Sequence, residues 1–108
     1  MNLQELRYNI FSRDFFTCQK CGATGHEKLS MAHRIKSGKQ SQNYIIQFIY
    51  DEYDVMINKK QADEILYNEK NLVTACRGNC NDSFNIFYKQ EQRDFLIKKI
   101  WNGLKETK

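Results

Sequence analysis

Two pairs of cysteines, Cys18 with Cys21 and Cys76 with Cys80, lie far apart in a chain of 108 residues, and His33, Asn71 and Asn81 stand between and beside them. Two thiolates separated by two or three residues can reach one metal ion, and four of them complete the tetrahedron that Zn²⁺ prefers. Four cysteines could equally form two disulfides, and compartment decides between the two. Residues 1–16 alternate charged and apolar side chains without the uninterrupted apolar run of a secretory leader. The expectation is therefore a cytoplasmic protein with reduced thiols and a bound zinc. Sulfur at all four positions leaves no open coordination site, so this zinc is expected to be structural. An imidazole beside such a scaffold is a different resource, because it can take a proton from water near neutral pH. The amide oxygens of Asn71 and Asn81 are neutral groups able to orient a ring or to ligate a hard cation.

The rest of the chain has to hold those groups in place. A chain this short is expected to form one domain, residues 1–108, whose core is marginal without a metal. Net charge is +4, but it is unevenly spread. Residues 1–50 carry seven basic and three acidic side chains, residues 51–71 three and six, and residues 72–108 seven and four. The candidate chemistry thus sits on basic flanks, as suits a polyanionic partner, although lysine-rich surfaces also serve solubility alone. The longest apolar stretch, Tyr44 to Tyr50, is broken by Gln47 and is far shorter than the roughly 20 residues a spanning helix needs.

Periodicity places the elements. Asn2 and Glu5 have the spacing of a capping box, and Leu3, Leu6 and Ile10 predict an amphipathic helix over Leu3 to Ser12. Phe15-Phe16-Thr17 has strand character and leads into Cys18-Gln19-Lys20-Cys21-Gly22, a zinc knuckle whose glycine suits a positive φ. Leu29 to Ile35 alternates as a strand with His33 and Arg34 on opposite sides. A polar loop over Lys36 to Ser41 precedes a helical stripe through Ile45, Ile49 and Tyr53. Asn58 with Gln61 caps a second helix containing Ala62, Ile65 and Leu66. Asn71 to Ala75 is the next strand, and from Cys80 onward helical spacing runs to Gly103 with a break near Lys89 to Gln92. A knuckle, a hairpin and a second cysteine pair at a helix start make a treble-clef arrangement in an α+β fold. Residues of about 36–70 form a helical insertion, flanked by an N-terminal helix and C-terminal helices.

The segments Phe15-Phe16-Thr17-Cys18-Gln19-Lys20-Cys21-Gly22, Ala32-His33-Arg34-Ile35 and Asn71-Leu72-Val73-Thr74-Ala75-Cys76 to Cys80-Asn81 resemble HNH endonucleases. The resemblance spans most of the chain outside about 36–70. It implies a ββα-metal core that cuts phosphodiester bonds in DNA, with His33 as general base, Asn71 orienting it, and Asn81 holding a divalent metal such as Mg²⁺ or Mn²⁺. Asn85, four residues further along the same expected helix, would share that metal, and Asp82 is a less well-directed candidate. Arg34, Lys36, Lys39 and Arg77 are expected phosphate contacts. The resemblance also suggests phage or mobile-element DNA processing or restriction.

In one respect the chain departs from the family pattern. Active members commonly carry aspartate or histidine before the general base, where this chain has Ala32. Neutral amides, water and substrate phosphate would then make up the metal's shell, which implies weak affinity without nucleic acid. The alternative is a catalytically degenerate, zinc-stabilised module that grips nucleic acid without cutting it. A third reading is a protein-interaction domain using the acidic insertion.

Overall fold

The computed structural model describes residues 2–25 and 27–106, the last without its side chain. His26, the second histidine, lies outside the described residues. Elements run in the order α1 (Leu3–Arg13), β1 (Leu29–His33), α2 (Lys39–Tyr53), α3 (Lys59–Leu66), a 3₁₀ turn (Glu69–Asn71), β2 (Leu72–Cys76), α4 (Asn79–Ser83) and α5 (Gln90–Glu106). Asn2 caps α1 through its side-chain oxygen, which accepts from the Glu5 amide at 3.1 Å. The capping box expected at Asn58 and Gln61 is complete in both directions at the start of α3.

The strand expected at Phe15 to Thr17 does not form. Phe15 and Phe16 both take positive φ, 58° and 52°, and reverse the chain out of α1; only Thr17 bridges, to Thr24. Left-handed backbone at a residue with a Cβ costs about 1–2 kcal/mol, and tertiary contacts outweigh that cost here. The Phe16 ring packs edge-on against Tyr8 and Phe11. Asp14, next to the reversal, is pinned by the Thr74 amide and by Arg13. Aromatic β-propensity is a statement about packing, and in this case the packing is satisfied by a turn.

β1 and β2 form an antiparallel hairpin with Leu29 opposite Cys76 and His33 opposite Leu72. The ladder extends one bond further, from the Arg34 amide to the Asn71 carbonyl at 2.8 Å. The outer edge of β2 is not left open. Arg13 donates to the carbonyl of Leu72 at 2.7 Å, Asp14 accepts from the Thr74 amide at 2.9 Å, and the Gln19 amide donates to the Thr74 carbonyl at 2.9 Å. The end of α1 and the knuckle therefore satisfy edge groups that would otherwise need water or another chain.

Two cores result. A small one gathers Phe11, Cys18, Leu29, Ala32 and Ala75 under the knuckle. A larger one packs Ile45, Phe48 and Ile49 of α2 against Ala62, Ile65 and Leu66 of α3 and Leu96, Ile97 and Ile100 of α5. The insertion thus supplies about half of the buried residues of this larger core. Lys39 to Ser41, expected in the loop, belong to the first turn of α2. The C-terminal helical region breaks earlier than its periodicity implies, over residues 84–89. There the Asn85 side chain accepts from the Phe87 amide at 2.9 Å and the Ile86 amide donates to the Arg34 carbonyl at 2.7 Å. A side-chain oxygen that captures a nearby amide competes with the helix. Among the described residues no helix is long and apolar enough to cross a membrane.

Candidate metal centre and adjoining cleft

One ligand atom from each of Cys18, Cys21, Cys76 and Cys80 lies within 4.8 Å of all the others. Sulfurs at the corners of a tetrahedron with about 2.3 Å metal–sulfur bonds are about 3.8 Å apart, and the Cys21 and Cys76 sulfurs are 3.6 Å apart. All four cysteines are free thiols. The knuckle is shaped by Gly22 at φ 81°, and the second pair by Gly78 at φ 87°, which starts α4 so that Cys80 falls in its first turn. An added Cβ would meet strained backbone at both positions.

The thiols behave as a crowded set. Burial opposes ionisation of Cys18, yet the amides of Cys21, Cys76 and Lys20 donate to its sulfur at 3.3–3.4 Å and bring it down to about 6. Cys76 is pushed up to about 12, first by its bond with Cys21, and burial raises Cys80. Four sulfurs this close cannot all carry charge without a cation between them. The four cysteines are positioned to coordinate one metal ion, and an all-sulfur donor set in this spacing is consistent with structural zinc.

His33 ends β1 and lies between two open clefts. One, of about 380 Å³, is lined by His33, Lys36, Ser37, Asn81, Asp82 and Asn85. The other, on the α1 side, is lined by His33 with Arg7, Ser30, Met31, Tyr67 and Arg77 among others. The imidazole stands edge-to-face with the Tyr67 ring, centroids 4.7 Å apart. Its Nε2 is buried and has no hydrogen-bond partner among the described residues. Burial holds the His33 pKa below its usual value of 6.5, so the ring is neutral at pH 7.

Asn81, in α4, faces the hairpin. Its Nδ2 donates to the Ser30 hydroxyl at 2.7 Å, which fixes the amide and leaves Oδ1 as the unspent group. Asp82 lines the same cleft and is exposed. Asn85 also lines it, but from the turn beyond α4 rather than from the same helix as expected, and its oxygen is occupied by the Phe87 amide. Lys36 is held over the rings of Phe87 and Tyr88, 4.7 and 4.9 Å from their centroids, and donates to the Tyr88 hydroxyl at 3.1 Å. That ammonium lowers the Tyr88 phenol below its usual range.

The sequence leaves Asn71 to orient the imidazole with either its amide oxygen or its backbone. It is fully buried, and its Oδ1 accepts from the Ile35 amide at 2.8 Å. Its Nδ2 donates to the carbonyls of Ile35 at 3.0 Å and Leu66 at 2.8 Å. Both amide protons are therefore spent on carbonyls, and the amide oxygen holds the backbone two residues beyond His33. Ala32 is also fully buried, in the small core with Phe11, Leu29 and Ala75.

The expected phosphate contacts divide among three places. Lys36 joins the His33 and Asn81 cleft, and Arg77 joins the α1 side of His33. Arg34 leaves the hairpin on the opposite side and lines a separate cleft, while Lys39 is exposed at the start of α2 and lines none of the three. Tyr67, Ser30 and Arg7 adjoin the site without having been singled out from the sequence, and Tyr88, whose helical spacing with Phe84 and Phe87 suits a core position, is instead exposed. Of the first three, only Arg7 carried a signal, as a basic residue on the polar face of α1. The chain matches no family model, no curated protein and no solved structure.

Proposed function

We propose that the chain is a metal-dependent nuclease of the HNH type, built on a zinc-bound treble clef with a ββα-metal core, that hydrolyses phosphodiester bonds in DNA. The observation that carries this reading is the sharing of one cleft by a neutral imidazole, His33, and the free amide oxygen of Asn81, with the fixed cation Lys36 at its side. The donor set suits a hard divalent cation such as Mg²⁺ or Mn²⁺. Asn81 Oδ1 and the Asp82 carboxylate are oxygen donors, and such ions are commonly held by one or two protein oxygens together with water and substrate phosphate. Bound there, the ion would supply charge stabilisation at the phosphate and at the leaving oxygen.

In this reading His33, held neutral by its burial, takes the proton from the attacking water. Asn71 fixes the ring's backbone through Ile35. Lys36, oriented by Phe87 and Tyr88, faces a non-bridging phosphate oxygen, and Arg77 and Arg7 contact phosphates on the α1 side. The products are 5′-phosphate and 3′-hydroxyl ends.

The degenerate binding module stays as a second reading because of Ala32. Its methyl group is buried where active members commonly supply a ligand, and among the described residues the only group of three or more His, Cys, Asp or Glu placed to hold a metal is the cysteine cluster. Conversion of supercoiled plasmid to nicked or linear forms with added Mg²⁺ or Mn²⁺ separates the two. The nuclease reading expects cleavage that falls about 10²–10⁴-fold in His33→Ala, the usual contribution of a positioned general base. DNA binding with no cleavage, unchanged by that substitution, would establish the module instead.

A further inference from the structure

The hairpin presents its other side to a third cleft that the His33 chemistry does not use. It measures about 430 Å³, and Arg13, Arg34, Lys70 and Lys89 bring four cations to it over an apolar floor that includes Phe84 and Ile86. Among the described residues no carboxylate lines it. Arg13 is already engaged, with its guanidinium on Asp14 and on the carbonyls of Glu69 and Leu72. Arg34 is not. Its backbone is bolted at both ends, the amide to the Asn71 carbonyl and the carbonyl to the Ile86 amide. Its half-buried side chain has no acceptor or carboxylate among the described residues. A guanidinium brought part-way out of water normally has a hydrogen-bonding anion, because its desolvation is otherwise uncompensated.

We infer that this cleft is a second phosphate-binding site, in which Arg34 takes a backbone phosphate of a nucleic-acid strand running on the side of the hairpin away from His33. The inference rests on nucleic acid being the partner, but not on cleavage. A guanidinium fork matches phosphate oxygens two at a time, and the lysines add charge at the rim. The half-buried Phe84 ring and the aliphatic floor suit a sugar or base better than they suit a free inorganic ion. Because Arg34 directly follows His33 in the chain, one strand of the hairpin would grip phosphates on both of its sides.

The test uses the zinc-loaded full chain, ¹⁵N-labelled and without added Mg²⁺ or Mn²⁺, titrated with a ten-residue oligothymidylate at several salt concentrations. The amides of Val73, Phe84, Ile86 and Lys89 should shift in a saturable way. Arg34→Gln should weaken that response at least about fivefold and make the slope of log K against log salt shallower by roughly 0.7, the value for one phosphate contact on a single strand. Lys89→Gln, at an exposed position, should weaken it by a smaller factor, and both variants should keep the wild-type spectrum elsewhere. Shifts confined to the His33 and Asn81 cleft would overturn this inference while leaving the nuclease reading intact. Wild-type affinity in Arg34→Gln would overturn it as well, and so would an equal response to inorganic phosphate or to oligoglutamate.

Discussion

Replacing Asn71 by alanine should be among the most damaging single changes available outside the zinc site. The side chain is fully buried and makes three hydrogen bonds, one accepted from the Ile35 amide and two donated to the carbonyls of Ile35 and Leu66. Alanine removes all three and leaves three buried backbone groups without partners. Each such group costs about 1–3 kcal/mol, so a loss of about 3–6 kcal/mol is expected once some relaxation is allowed for. Domains of this size have about 5–15 kcal/mol in total, so the variant should be largely or wholly unfolded at moderate temperature. Asn71→Asp is the sharper control. It retains an acceptor for the Ile35 amide, but turns two donated bonds into contacts between a carboxylate and two carbonyl oxygens, and should be at least as destabilising. Urea unfolding of the zinc-loaded protein, followed by Trp101 fluorescence, gives both values. A loss below about 1 kcal/mol for Asn71→Ala, or wild-type stability for Asn71→Asp, would show that the amide is not the clamp described here.

Other outcomes follow from the same geometry. Stripping the metal with an excess of a strong chelator should abolish cooperative unfolding, since a structural zinc contributes about 10 kcal/mol or more, and Cys80→Ser should lower the midpoint sharply; an unchanged melting curve would contradict a metal-held core. The His33 ring, followed by proton NMR, should titrate below 6.5, because burial disfavours the imidazolium and, of the charged residues lining its two clefts, the cations Arg7, Arg77 and Lys36 act in the same direction and Asp82 alone opposes it. A depressed folded-state pKa means that the unfolded chain protonates first. Stability from this group is therefore full above about 6.5 and lost as pH falls toward the lowered value. His33→Gln should flatten that dependence, and a midpoint at or above 6.5 would refute the burial argument.

What the sequence disclosed was local in origin. Cysteine spacing located the metal cluster, the Asn58 and Gln61 pair located the start of α3, and the alternation through β1 put His33 and Arg34 on opposite sides. These features depend on residues a few positions apart. The parts that were not legible depend on distant partners. Phe15 and Phe16 have the composition of a strand, but Asp14 held by Thr74 forces a reversal. Asn85 fits a continued helix until its side chain captures the Phe87 amide. Tyr67 meets His33 only because Asn71 ties the end of α3 to the residue following Arg34. The insertion, whose acidic 51–71 stretch reads as set between two strands, supplies a wall of the site and about half of the larger core.

The central claim is that His33 and Asn81 act together on a phosphate beside a second metal. Crystals grown with Mn²⁺ and a phosphorothioate oligonucleotide, with anomalous maps recorded at the zinc and manganese edges, test it directly. The account predicts zinc among the four sulfurs and manganese on Asn81 Oδ1, touching a phosphate oxygen, with a water within hydrogen-bond reach of His33. A phosphate bound elsewhere with no manganese near Asn81, or sulfurs joined in pairs around no metal, would contradict it.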